Sequence, residues 1–180
     1  MIDNKKPSLL ALVATTILCL SSFTATAGNA GEIICANKSS RCWNLIFGQG
    51  DAPNRILYLA DTRTRTLAGG EIEVDAVQLF EAKAAPFDYV AYTMQFQCKK
   101  RKVNLVKLYN SDWNGKVTGG AVPASWEPVP QDSWILNVSD VACNSERTKA
   151  FRQYFMDSPR PVDAAWLARR IFWEKSFVPK

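Results

Sequence analysis

The chain contains no histidine among its 180 residues. That absence removes Ser-His-Asp and Cys-His nucleophile systems, every His-ligated zinc site and the usual proton shuttle near neutral pH. Any catalysis would fall to carboxylates, Lys or Tyr; no spacing of Lys or Tyr forms a recognisable nucleophile constellation, and the carboxylates of Glu71 and Glu73 lie on a strand that offers no cleft for a catalytic pair. No Gly-rich phosphate loop, dinucleotide fingerprint or paired Cys-x-x-Cys motif is present either. The reading is therefore of a protein that is not an enzyme and uses no cofactor or metal. Strong charge is also lacking: the formal net charge is +5, too weak to argue for nucleic acid. The longest apolar run, Leu9 to Leu20, is too short and too interrupted by Thr for a membrane span of about 20 residues. Internal repeats and low-complexity tracts are missing as well.

What is present begins with the grammar of a secretory leader over residues 1–27. Lys5 and Lys6 open it, the Leu9–Leu20 run follows, and Ala25-Thr26-Ala27 supplies small residues where a signal peptidase cuts. Cys19 lies inside the run without the small residues that precede a lipidated cysteine. The expected mature chain, residues 28–180, is thus periplasmic or secreted without a lipid anchor. It has the size of one domain with a real core.

Four of the five cysteines follow the leader: Cys35, Cys42, Cys98 and Cys143. An even number in an exported chain implies disulfides, and four permit three pairings. Cys35 and Cys42 flank a short polar loop that a local bridge closes easily, which leaves Cys98 for Cys143.

Strand candidates come first along the chain. Trp43 to Phe47 is a short apolar stretch, followed by Ile56 to Ala60, Glu71 to Ala82 and Tyr89 to Cys98. Val103 to Tyr109 and Trp134 to Val141 complete the set. The clearest alternation puts Tyr92, Met94, Phe96 and Cys98 on one face and Thr93, Gln95 and Gln97 on a wet one. Asn114-Gly115 marks a hairpin, and Trp126, between prolines, reads as a core plug. The period then changes. Ser145 to Met156 and Val162 to Phe177 read as helices separated by Pro159 and Pro161. Strands first and helices last predict an α+β fold. Its antiparallel sheet has about six strands, over residues 28–144, and the C-terminal helical region 145–180 packs on one face.

The stretch from Ile56 to Cys143 resembles the bacterial surface-adhesin protein E family. The residues that carry the likeness are Tyr58-Leu59-Ala60-Asp61, the Gly69-Gly70 break, and Tyr92-x-Met94-x-Phe96-x-Cys98 with its basic hairpin tip. The Tyr109 strand end with its Asn-Gly turn, Trp126-Glu127-Pro128-Val129-Pro130, Ser133 and Cys143 complete the series. The resemblance implies a sheet with a C-terminal helix tethered by Cys98–Cys143. It also implies binding to matrix and plasma proteins such as laminin, vitronectin and plasminogen, and a capacity to dimerise. The chain departs from the family's namesake in lacking a lipidation signal and in its additional Cys35–Cys42 pair and Trp-rich C-terminal region.

Three groups are candidate sites. Lys99, Lys100, Arg101 and Lys102 concentrate positive charge at a hairpin tip, which would steer an anionic glycan or acidic protein surface. Trp166, Arg169, Arg170 and Trp173 are the residue types of a protein-binding hot spot, with one Trp stripe expected to pack on the sheet. Glu71, Glu73 and Asp75 share a strand face, as carboxylates toward a hard cation or as a solvated face that blocks edge pairing. The expected function is binding of an extracellular or envelope protein. The alternative is a periplasmic inhibitor that occludes one partner enzyme.

Overall fold

The computed structural model describes residues 41–144, 155–157 and 160–174. The expected leader, Cys35, most of the expected helix 145–156 and Phe177 lie outside them. The strands are β1 (Cys42–Gln49), β2 (Ile56–Asp61), β3 (Arg65–Thr66), β4 (Ile72–Phe80), β5 (Tyr89–Gln97), β6 (Lys102–Ser111), β7 (Val117–Ala121), β8 (Glu127–Pro128) and β9 (Phe155–Asp157). They form one antiparallel sheet in the order β7-β6-β5-β4-β2-β1-β9, with β3 beside β4 and β8 beside β6. Among the described residues two α-helices join it, α1 (Trp134–Cys143) and α2 (Pro161–Arg169), the second running into a wider π-helical turn over Arg170–Glu174. The expected α+β architecture is present; five of the six expected strands form, and β3, β7, β8 and β9 are additions, three of them only two or three residues long.

The central strands are apolar on both faces, so successive residues enter different cores. Leu57 and Leu59 of β2, Val77 and Leu79 of β4, and Tyr89 and Ala91 of β5 belong to one cluster with Trp43. Tyr58 and Ala60, Val74 and Ala76, and Met94 and Phe96 belong to the other with Ile46. A sheet patterned this way exposes apolar surface on whichever face lacks a cover. The C-terminal helix covers the first face, through Ala164, Ala165 and Ala168.

The second cover comes from a segment expected to be a strand. Trp134 to Val141 is part of α1, and Val138 and Val141 bury against Ile46, Tyr58, Val74 and Met94. Trp134, Val138 and Val141 fall at i, i+4 and i+7, one side of a helix. Ser133, in extended backbone, begins it, and its carbonyl accepts from Leu136 N–H at 3.0 Å. A second correction concerns Phe155 and Met156, expected at the end of a helix. With Asp157 they form β9, which pairs with the outer edge of β1. A third concerns Trp126, which is only half-buried, while Val129 is the plug from this proline-rich stretch at 5% exposure.

Short turns set the remaining register. Gly70 takes φ +83° at the turn before β4, and Gly115 takes φ +80° in the expected Asn-Gly hairpin. There the Asp112 carboxylate accepts from Asn114 and Lys116 N–H, both at 2.9 Å.

Cys98, directly after β5, bonds to Cys143, the last residue of α1, with Cα atoms 5.5 Å apart. The bond ties the end of α1 to the end of the strand it covers. Cys42 is also disulfide-bonded. Replacing Cys98 and Cys143 together by Ala should lower unfolding free energy by about 4 kcal/mol, the loop-entropy value for this closure, given a sequence separation of 45. Urea unfolding of the mature chain measures it, and a loss below about 1 kcal/mol would contradict the role assigned to the staple.

Candidate functional site

Helix α2 is built to sit close to the sheet. Pro161 occupies its first turn, and the Arg160 guanidinium clasps Asp163 through two bonds of 2.8 Å. Three buried alanines on its inner side let the backbone approach, and Leu167, Ile171, Phe172 and Trp173 fill the margins. Arg169 fastens the far end. Its guanidinium pairs with the Asp88 carboxylate and donates to the carbonyl of Phe80 at 3.3 Å. It also lies 5.0 Å from the Trp113 ring centre and 4.9 Å from that of Trp173. Burial pushes the Asp88 carboxyl up, against the opposing pull of Arg169.

The four expected hot-spot residues therefore divide. Arg169 and Trp173 turn inward and hold the helix, with the Trp173 indole N–H buried and without a hydrogen-bond partner among the described residues. Trp166 and Arg170 turn outward. Trp166 is 56% exposed, and the Arg170 guanidinium lies 5.4 Å from its ring centre. Val162, one turn earlier, is also exposed, so Val162, Trp166 and Arg170 make an outward row at i, i+4 and i+8. A cation over an indole face restrains the ring without covering it.

The basic tip is divided in a similar way. Lys99 and Lys100 are exposed on a 3-10 turn over Cys98–Lys100. Arg101 is in the left-handed region at φ +53°, donates to Gln131 Oε1 at 2.8 Å and accepts Val129 N–H on its carbonyl at 2.9 Å. Lys102 already belongs to β6, opposite Pro128. A recess of about 490 Å³ beside the tip is lined by Gly69–Ile72, Gln97–Lys100, Ala142 and Cys143. Glu71 in its wall offsets part of the lysine charge.

Glu71, Glu73 and Asp75 do share one face, but as rungs of a hydrogen-bonded ladder. Thr93 Oγ1 donates to Asp75 at 2.6 Å, Gln95 to Glu73 at 3.1 Å and Gln97 to Glu71 at 3.4 Å. Arg65 bridges Glu73 and Asp75 at 2.9 and 3.0 Å, and Arg41 reaches Asp75 at 2.5 Å. The strand face expected to be wet is thus a cross-strand polar network, and Glu73 and Asp75 are occupied by guanidinium groups. Among the described residues no group of three acidic, Cys or His side chains could hold a metal ion.

An aromatic cluster on the α1 side was not legible as a group in the sequence. Tyr58 stacks on Trp134 at 4.8 Å, Tyr92 tilts against Trp134 at 5.1 Å, and Phe47 meets Tyr58 at 5.6 Å. Tyr92 donates to Gln78 Oε1 at 2.7 Å, and burial pushes its phenol up to about 12. Beside Trp134 runs a groove of about 310 Å³, between α1, β6 and the proline-rich strap, walled by Met94, Leu105, Val122, Pro123, Pro130 and Ile135. The signal that could have found the cluster was the even-numbered aromatic pair Tyr58 and Tyr92 on the apolar strands either side of β4; Trp134 needed the helix.

No protein-family model matches this chain, and no curated protein or solved structure matches it.

Asp61, the acid in the Tyr58–Asp61 segment, is almost fully buried and accepts N–H bonds from Cys42 at 2.9 Å and Arg63 at 3.0 Å. Desolvation raises its pKa despite those bonds. The folded state therefore keeps this proton to higher pH than the unfolded chain. The associated stability is complete in acid and falls as pH rises from the unfolded value of about 3.9 through the folded one. Asp61→Asn, which can still accept both bonds, should be at least as stable at pH 7, with its advantage fading below about pH 4. Thermal unfolding at both pH values tests this; a neutral-pH loss above about 1 kcal/mol would contradict it.

Proposed function

We propose that this chain is an exported, non-catalytic domain of the surface-adhesin protein E type that binds an extracellular or envelope protein through the outer row of α2. The observation that carries this reading is the exposure of Trp166 beside Arg170 on a helix whose inner side is fully committed to the sheet. An indole left in water, restrained by a cation, is the residue type that dominates interface energetics. The helix cannot rotate to bury it without withdrawing Ala164, Ala165 and Ala168 from the core.

Export is supported by the leader grammar of residues 1–27 and by the disulfide, a bond that persists in oxidising compartments. No helix of the described residues is long and apolar enough to cross a membrane. The non-catalytic reading is supported by the lack of histidine and by polar clusters whose members pair with one another. Exposed Lys99 and Lys100 would add long-range attraction to an acidic partner and make association salt-dependent.

Binding of the mature chain to immobilised laminin, vitronectin and plasminogen tests the proposal. Trp166→Ala should weaken capture about 30-fold, the effect of losing about 2 kcal/mol at an interface centre. It should leave the unfolding temperature unchanged, because Trp166 is more than half exposed and belongs to neither core cluster of the described residues. Equal capture by wild type and variant would remove α2 from the interface, and no capture of any of the three by wild type would contradict the adhesin reading.

A further inference from the structure

Strand β7 ends the sheet, and its hydrogen-bonding phase can be read from two bonds. Asp112 N–H donates to the Lys116 carbonyl at 3.0 Å, and Val122 N–H to the Val106 carbonyl at 2.8 Å. Alternate residues of an antiparallel strand turn both backbone groups to the same side. The even-numbered residues of β7 thus serve β6, while Val117, Gly119 and Ala121 direct their N–H and C=O groups away from it. Among the described residues no strand lies on that side and these groups have no hydrogen-bond partner.

Exposed edges are ordinarily guarded by charge, proline or an inward-pointing lysine. Val117-Thr118-Gly119-Gly120-Ala121 has none of these. Gly119 takes φ +126°, and a Cβ there would collide with the Leu108 carbonyl, so this position stays bare for a backbone reason. On the face that Gly119 leaves empty stand Val117, 52% exposed, and Tyr109, 39% exposed and directly opposite Gly119 on β6. Lys107, opposite Ala121, and Lys116, just before the strand, are both exposed. Neither forms an ion pair among the described residues.

We infer that β7 is a β-augmentation site for an extended segment of a partner protein. The segment carries a large apolar side chain opposite Gly119 and an acidic residue opposite Ala121. Only an extended backbone supplies donors and acceptors at the two-residue repeat of the open edge. The apolar side chain would lie beside Val117 and reach Tyr109 across the glycine gap, within the range of cross-strand and diagonal pairs. The acidic residue would meet Lys107. A second copy fits less well. Twofold pairing centred on Gly119 sets Gly119 against Gly119 and Thr118 against Gly120, leaving the gap unfilled. It also brings Lys107 toward the other copy's Lys116. This edge is separate from Trp166, so it stands or falls independently of the α2 interface.

The probe is a capped peptide, Thr-Glu-Thr-Phe-Thr-Val-Thr, titrated into the full mature chain with amide hydrogen exchange followed residue by residue. Saturation should slow exchange at Val117, Gly119 and Ala121 at least tenfold and leave Thr118 and Gly120, already bonded to β6, unchanged. Ala121→Pro removes an outward N–H without touching a β6–β7 bond and should weaken binding at least tenfold; replacing the peptide's Phe by Ala should do the same. Absence of protection in the wild-type chain would overturn the inference. So would protection that rises with protein concentration without peptide, which identifies a second copy as the occupant, or undiminished binding by a folded Ala121→Pro variant.

Discussion

A sheet that is apolar on both faces has to be covered twice, and the rest of this structure follows from that requirement. The alternation along β2 is the plainest statement of it: Leu57 and Leu59 enter one core, Tyr58 and Ala60 the other. At about 25 cal/mol per Å² of apolar surface removed from water, neither face can be left open at the cost of a few side chains only. Among the described residues the chain meets the demand with two short helices held in different ways. Helix α1 is tied covalently at its end by Cys98–Cys143, and α2 is held by close alanine packing and by the many-sided grip of Arg169. Short helices have little stability of their own, so these attachments decide where each one sits.

The same requirement explains which surfaces remain for recognition. Once the inner side of α2 is fixed, Val162, Trp166 and Arg170 are left outside. Once β6 is paired with β7 and β8, the free edge passes to β7. Polar residues that looked available in the chain, above all Glu73 and Asp75, are taken up inside the sheet by Arg65, Arg41 and their cross-strand partners. Charge that is internally matched steers little, whereas Lys99 and Lys100 at the hairpin tip, only partly offset by Glu71, do so at long range.

Much of the sheet was legible because period-two patterning is a direct physical record of burial. The series Tyr92, Met94, Phe96 marks β5 by its alternation alone, and the Asn114-Gly115 turn marks where β6 gives way to β7. The Cys98–Cys143 pairing also followed from the chain. Three features were hidden for identifiable reasons. Trp134 to Val141 reads as a strand because a run rich in Trp, Ile and Val fits either period over so few residues; only the need for a cover over Val74 and Met94 selects the helix. Strand β9 is three residues long and exists because β1 offers an edge. The division of the Trp/Arg set depends on Asp88 and Trp113, far away in sequence from the Arg169 they grip, which no local pattern reveals.

The measurement that bears most directly on the double cover is native-state hydrogen exchange compared between the oxidised chain, the chain with Cys98–Cys143 reduced, and Arg169→Ala. Reduction should speed exchange of the α1 amides from Asn137 to Cys143 while those of α2 keep their protection. Arg169→Ala should do the reverse, loosening Ala165 to Arg170 and sparing α1. Each cover would then open as its own unit, the behaviour expected of locally cooperative segments. If both helices lost protection together in either case, or if neither responded, the two faces would not be independently sealed and the central claim would be wrong.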